Sequence, residues 1–496
     1  MAPTKPKNNV LPIALAVVVV VVLVVASVIG FAVVQSHGGA SSATTSPSSA
    51  PAGTPTSAPT GTPTPVTLHW FIGLGSGTQP SQIDAINAFV TKYNQTNTDA
   101  ITLKTEIVPQ DSAYATLKSE LAAGNAPDIV GPQGVKSWNG LSGVFMDLTS
   151  EITKNKIDMT GFASGAVQVL RDGTGAQIGI PYDIYPGCIW YNKDLFVKAG
   201  LPSLPTKVGD MYQGKAWDWN ELATVAAQLT LDKNGHRSTD AGFDAKNIVQ
   251  YGMDFQWAEA RRIVSLFGAG SVVAQDGKTA QIPSFWTDAF DWYYTAIWTK
   301  HIVPNAPAEA STLLGQGNTQ SSGNIAMNAS WEWSFNSIAT DAASSKVKNW
   351  DIAVMPSWNG STTAAMDTDS FSIPKASKHQ DAAFKAMLAI MADKTLRQNL
   401  GGEPANKADQ AAFYASTDAA LAPIFPNSHI TWSVMTEMED HAVVPSHEAD
   451  MPNSVQSWSD IDAFGTKLQG TSGVDVAAEL AKLRTTLQTD FNAATT

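Results

Sequence analysis

A single cysteine, Cys188, is all that the 496 residues carry, so no internal disulfide can staple the fold and no cysteine cluster can hold zinc. Cations are also scarce. Lys and Arg number 31 against 44 Asp and Glu, a formal charge of −13, and no basic stripe exists to meet a phosphate backbone, which argues against nucleic acid as a partner. The 8 histidines are scattered. His441 and His447 fit no zincin spacing, and neither a phosphate loop nor a Gly-x-Ser-x-Gly elbow occurs, so no metal and no cofactor is expected. What remains is 44% hydrophobic and 15% charged. That is a globular composition, and at this length the core should divide into two or more lobes. Cys188, between Gly187 and Ile189, reads as a small core residue.

The chain opens with Lys5 and Lys7 and no acid, then runs uncharged and mostly apolar over residues 11–34. A bilayer-spanning helix needs about 20 such residues and a signal-peptide core about 7 to 15, so length favours a transmembrane anchor. A long signal peptide cut near Ala40 or Ala43 is the alternative. Lysines before the run and none just after it place residues 1–10 in the cytoplasm and the rest outside the cell, a single-pass topology. No cysteine follows the run to take a diacylglycerol anchor. Apart from Gln35 and His37, residues 35–65 are Ser, Thr, Pro, Gly and Ala, with no Asp, Glu, Lys or Arg, a composition that cannot bury enough apolar surface to fold and serves as a tether.

From Val66 the pattern changes. Strands are expected over 66–74, 101–108 and 128–130, alternating with helices over 81–93 and 114–123, which is the signature of a layered α/β sheet. Ser81 and Asp84 have capping-box spacing for the first helix. Further helices are expected over 192–199, 219–229, 258–267, 285–298, 381–392, 394–400 and 474–491. Short strands are expected near 251–255, 325–327 and 352–355.

The stretch IPYDIYPGCIWYNKDLFVKAGL (180–201) has a Pro-Gly interruption between two extended runs. Such an interruption marks either a tight turn within one domain or a crossing between lobes, since Pro186 cannot donate to a ladder and Gly187 tolerates dihedrals other residues avoid. Other segments decide between these. Together with LAAGNAPDIV (121–130), WDWNELATVAAQLT (217–230), NIAMNASWEWSFNSI (324–338), GGEPANKAD (401–409) and MPNSVQSW (451–458), the stretch resembles the extracellular solute-binding proteins of family 1. These are the carbohydrate receptors of ABC importers, maltose-binding protein among them. The resemblance implies a two-lobed periplasmic-binding-protein-like fold with solute held between the lobes. It puts the three interlobe crossings near 183–187, 358–369 and 401–404, with lobe 1 as 66–183 and 359–402 and lobe 2 as 184–358 and 403–496. It also implies a monomeric receptor that delivers its carbohydrate to ABC transporter permease subunits. The apparent helix anchor departs from the family, whose members are commonly lipoproteins or free periplasmic proteins.

A sugar offers hydroxyls and weakly apolar ring faces, so its site needs aromatic platforms and side chains that seek hydroxyls. The resemblance places stacking tryptophans at Trp331 and Trp458. Trp333 joins Trp331 by alternation, which leaves Glu332 on the opposite face. Trp257 precedes a helix in a loop that could face a cleft. Gln133 and Trp138 follow the third strand, where open α/β sheets place ligands, and Ser76 and Thr78 share that logic in the first strand-to-helix loop. Asp183, Tyr185, Asp367, Asp369 and Glu403 belong to the crossings. Core packing is the competing account for each tryptophan, and a hinge hydrogen bond or solvation for each acid. Asp232, Asn234, Asp240 and Asp244 offer half of a calcium loop without the EF-hand spacing or terminal Glu, so an Asn-Gly turn is expected there.

Two other functions compete with an importer receptor. A glycoside hydrolase needs two carboxylates about 5 to 10 Å apart across a bond, and 44 acids always supply a pair, although no motif marks one. A sensor reporting solute to a membrane kinase would suit the anchor.

Overall fold

The computed structural model describes residues 64–493, apart from 142, 257–258, 334–337, 339–344, 444–447 and 449. The expected membrane span at 11–34 lies outside these residues. Among the described residues no helix is long and apolar enough to cross a membrane.

The first half begins as expected. Strand β1 (Val66–Ile72), helix α1 (Pro80–Thr96), strand β2 (Ile101–Ile107), helix α2 (Gln110–Ala122) and strand β3 (Ile129–Gln133) alternate, with β1 pairing in parallel with both β2 and β3. Parallel neighbours require a crossover, and α1 and α2 supply it. Helix α1 starts earlier than its Ser81–Asp84 pattern suggests. Pro80 takes its first turn, and the reciprocal cap is made by Gln79 and Gln82, because proline at that position has no N–H to leave orphaned.

Strand β4 (Ile180–Asn192) organises the rest, and all 13 of its residues are buried. The Pro-Gly interruption does not break it. Pro186 holds a register position opposite Met366, while the Gly187 N–H donates to Ala365 O at 2.9 Å. What Gly187 supplies is space rather than an unusual dihedral: a Cβ there would lie 3.2 Å from that same oxygen and 3.4 Å from Trp331 Nε1. Helix α3 (Lys193–Ala199) follows, capped by Asn192 and closed by Gly200 in the left-handed conformation, which glycine adopts without a Cβ clash.

The sheet continues through β5 (Leu231–Asp232), β6 (Ile248–Asp254), β7 (Ile325–Trp331), β8 (Trp350–Ala353), β9 (Met366–Ser372) and β10 (Glu403–Pro404). Its order is β2-β1-β3-β9-β4-β7-β6-β5, with β8 and β10 also paired to β4. The N-terminal part of β4 pairs with β9 and β10, and its C-terminal part with β7 and β8. One strand therefore runs through two cores. The first gathers Leu68, Trp70, Ile129, Tyr182, Phe371 and Phe384, and the second gathers Trp190, Trp219, Phe290, Trp331, Trp350 and Phe464. A smaller cluster around Phe71, Leu117 and Phe145 extends the first half. Cys188 is a buried core thiol in the second.

The half-formed calcium loop is an Asx-rich turn. The Asp232 carboxylate accepts backbone N–H groups from Asn234 at 2.8 Å, His236 at 2.9 Å and Asp244 at 3.0 Å. A carboxylate ringed by donors presents little to a cation, and no group of three or more potential metal ligands occurs among the described residues.

Candidate functional site

The three segments expected to cross between lobes lie side by side in the sheet, with β4 in the middle. Asp183 lies opposite Asp369 of β9 and opposite Pro404 of β10, and Ile184 lies opposite Glu403. Each segment thus carries one acid to the same level of the sheet, and all three acids are buried. Asp369 is held by the Ser76 backbone N–H at 3.0 Å and by the Tyr185 hydroxyl, which donates at 3.3 Å. Burial still raises its pKa to about 6, against the lowering effect of the Ser76 amide. Gly75 admits this contact, since a Cβ there would lie 2.7 Å from both Asp369 carboxylate oxygens.

Both carboxylate oxygens of Asp183 and of Glu403 lack a hydrogen-bond partner among the described residues. Burial pushes Asp183 well above the usual carboxylate range, with the Arg397 guanidinium opposing and Asp369 reinforcing the shift. Burial and then Glu439 do the same to Glu403. Glu332, next to the last residue of β7, is raised by burial and by Asp183. A carboxyl taken out of water without a partner favours its neutral form. The packing leaves no room for a side chain at Gly402, where a Cβ would come within 2.4 Å of Asp183 Cβ.

Further along β4, opposite Gly187, stand two indoles. Trp331 ends β7 fully buried, and its Nε1 donates to Ala365 O at 3.2 Å. Trp333 is half-buried. Their ring centroids are 6.0 Å apart with planes 3° from parallel, although β7 ends at Trp331, Glu332 lies in a turn and Trp333 is helical, so the pairing expected from strand alternation is made instead by the turn that ends the strand. Arg262, on helix α4 (Glu259–Ser265), lies over both rings, 5.5 Å and 5.6 Å from their centroids. Its Nε and Nη2 grip one oxygen of Asp367 at 2.8 Å and 2.7 Å. Arg261 pairs with Glu448 at 3.0 Å. The Glu448 carbonyl in turn accepts Asn139 Nδ2 at 3.1 Å.

The structure therefore brings together Ser76, Asp183, Tyr185, Asp369 and Glu403, while Trp331 and Trp333 stand further along β4, opposite Gly187, and are linked toward that group through Arg262 and Asp367. Gln133 adjoins them at the end of β3: it lies opposite Ser370, its Oε1 accepts the Ser137 hydroxyl at 2.8 Å, and its Nε2 has no partner among the described residues. Thr78 sits half-buried on the Ser76 loop. Trp138 packs in the cluster with Phe71 and Phe145, and Trp458 is buried in the second core. Trp257 lies outside the described residues. Sequence reasoning missed Arg261, Arg262 and Glu439, and their long-range partners left no local signal. Of two cavities of about 370 Å³, one is lined by Trp217, Met355 and His441, and the other adjoins the acids, lined by Pro404 and Arg397 together with Asp409 and Phe413.

Residues 79–389 match the family model described as bacterial extracellular solute-binding protein. A putative binding protein of Brucella abortus is 24% identical over 377 residues, covering 71% of this chain and 82% of the relative. Among solved structures, an ABC substrate-binding protein of Listeria monocytogenes in complex with cycloalternan superposes with a TM-score of 0.64 at 20% identity, covering 86% of this chain and 100% of that one. An ABC transporter solute-binding protein of Agrobacterium radiobacter in complex with ribitol gives 0.60 at 18% identity, covering 86% and 98%. The architecture of two cores on one sheet is thus a fold shared with substrate-binding proteins of known structure.

Proposed function

The chain belongs to the bacterial extracellular solute-binding protein family, and from that premise we propose that it is the carbohydrate receptor of an ABC importer. It is a binding protein and not an enzyme, so the hydrolase reading falls away. Lobe 1 (66–183 and 359–402) and lobe 2 (184–358 and 403–496) close on a sugar, probing it from both sides, and the closed form is presented to the permease. Residues 11–34 anchor the receptor in the cell membrane, and the tether at 35–65 holds it on the extracellular side.

The observation that carries this reading is that one strand, β4, is flanked by a pair of parallel indoles near Gly187 and by buried acids with unmet hydrogen-bonding capacity near Asp183. Indole faces suit the apolar face of a pyranose, and Ser76, Gln133, Tyr185 and Asp369 can exchange hydrogen bonds with its hydroxyls. Closure follows because a ligand that touches both lobes only in the closed state shifts the population toward it. The Listeria and Agrobacterium proteins, bound to a cyclic sugar and a polyol, are consistent with a polyhydroxylated ligand.

The test is thermal denaturation of the protein with a panel of neutral sugars and polyols. A cognate ligand at 100 times its Kd adds about 2.7 kcal/mol of stability by mass action, and the Trp331→Ala variant loses that response. A panel without any shift, or an unchanged response in Trp331→Ala, contradicts the assignment.

A further inference from the structure

We propose that Arg262 sets the ligand class and affinity of the cleft: its guanidinium holds, as part of the protein itself, the place on the Trp331–Trp333 pair that an uncharged sugar ring takes on binding. The inference rests on the carbohydrate reading above and adds to it a residue and a charge requirement.

Three observations support it. Trp331 has no exposed surface, so with Arg262 and Trp333 where they stand a ligand cannot reach its face. A guanidinium is planar, weakly hydrated and attracted to indole faces, which makes it a fair substitute for a flat apolar ring. Arg262 is also placed to move. Its side chain is 15% exposed and that of its partner Asp367 is 21% exposed, whereas Arg261 and Glu448 are 4% and 3% exposed. Arg262 sits at the solvent boundary and can pivot outward about Asp367, which Arg261 also holds at 3.9 Å, while Arg261 and Glu448 are fixed.

The charge requirement follows from the same pairing. Two guanidiniums face two carboxylates, Arg262 with Asp367 and Arg261 with Glu448. Beyond them lie Asp369, which Asp367 influences and Tyr185 hydrogen-bonds, and then Asp183, which burial holds toward its neutral form with Arg397 opposing. A uronate or a phosphorylated sugar therefore meets cations already engaged by the Asp367 and Glu448 carboxylates, whereas a neutral ring displaces Arg262 without breaking its bond to Asp367.

The experiment measures binding of maltotriose, tagatose, ribitol and galacturonate to the full chain and to Arg262→Gln and Asp367→Asn by calorimetry. Arg262→Gln should bind a neutral probe more tightly, by about twofold to about thirtyfold, the range of one guanidinium–indole contact from exposed to desolvated. Asp367→Asn, which releases the guanidinium, should gain binding of galacturonate, to which the unmodified protein is blind. Weaker or unchanged neutral-sugar binding in Arg262→Gln overturns the proposal, as does galacturonate binding by the unmodified protein that Arg262→Gln abolishes. Should no neutral probe bind any of the three proteins, the carbohydrate reading fails, and the cover is judged without ligand from 5-fluorotryptophan spectra. Resonances of Trp331 and Trp333, assigned by Trp→Phe variants, gain a water-to-deuterium-oxide shift in Arg262→Gln if Arg262 covers the rings. They stay as they were if it does not.

Discussion

Two aromatic clusters in the second half of the molecule are built from the same residue types and do different things. In the first, Trp219 stacks on Phe267 at 4.5 Å and Phe255 at 6.0 Å and meets Trp292 edge-on at 5.0 Å. Its polar atoms are satisfied internally: Trp219 Nε1 donates to Leu266 O and Trp292 Nε1 to Trp219 O, both at 3.1 Å. In the second, Trp331 and Trp333 stand beside Arg262, which holds Asp367, and further along β4 lie Asp183 and Glu403, whose carboxylates have no hydrogen-bond partner among the described residues. Burial alone does not separate them, since Trp219 and Trp331 are equally inaccessible. The polar surroundings do. A saturated aromatic cluster is core, and one bordered by unmet hydrogen-bonding capacity is poised for something else.

The contrast is sharpest in stability. Trp219→Ala should destabilise the protein by about 3–5 kcal/mol through the cavity it leaves, read as a lower denaturant midpoint, with sugar affinity of the folded fraction unchanged. Equal losses of affinity in Trp219→Ala and Trp331→Ala would dissolve the distinction between core and platform. Next in size, Trp333→Ala should weaken sugar binding by about threefold to about tenfold, the worth of one aromatic contact, with little change in melting temperature because the ring is only half-buried. The smallest effect concerns pH. Raised carboxylate pKa values mean that the folded protein binds more protons than the unfolded chain, so their contribution to stability is complete below about pH 4 and is lost as pH rises through the folded values, about 6 for Asp369. Melting temperature should therefore fall from pH 4 to pH 6 on account of these acids, at a slope of at most roughly 1.4 kcal/mol per pH unit for each group. Asp183→Asn should flatten that slope, whereas replacing residues of the Trp219 cluster should leave it alone.

Much of the framework could be read from residue pattern. The alternation of β1 to β3 follows apolar periodicity, and the importance of 180–201 follows from its breaker signals and family motifs. Less was visible where tertiary contacts decide. Helices at 407–421 and 454–470 escaped because many small and polar residues blur their apolar stripe. The Pro-Gly pair suggested a break, yet a ladder on both edges of β4 carries the strand across it. A supply of 15 tryptophans suggested many platforms, but Trp70, Trp190, Trp219, Trp286 and Trp350 fill the cores. Arg262 gave no signal because its partner Asp367 lies 105 residues away.

Strand β4 has a mechanical consequence. A beam shared by both halves and laced along each side cannot fold like a door on a pin, because bending it would tear ladder bonds on at least one flank. Opening must be absorbed as torsion distributed over several residues of the ribbon. In the closure proposed above, the amides near Gly187 should then be among the slowest to exchange with solvent.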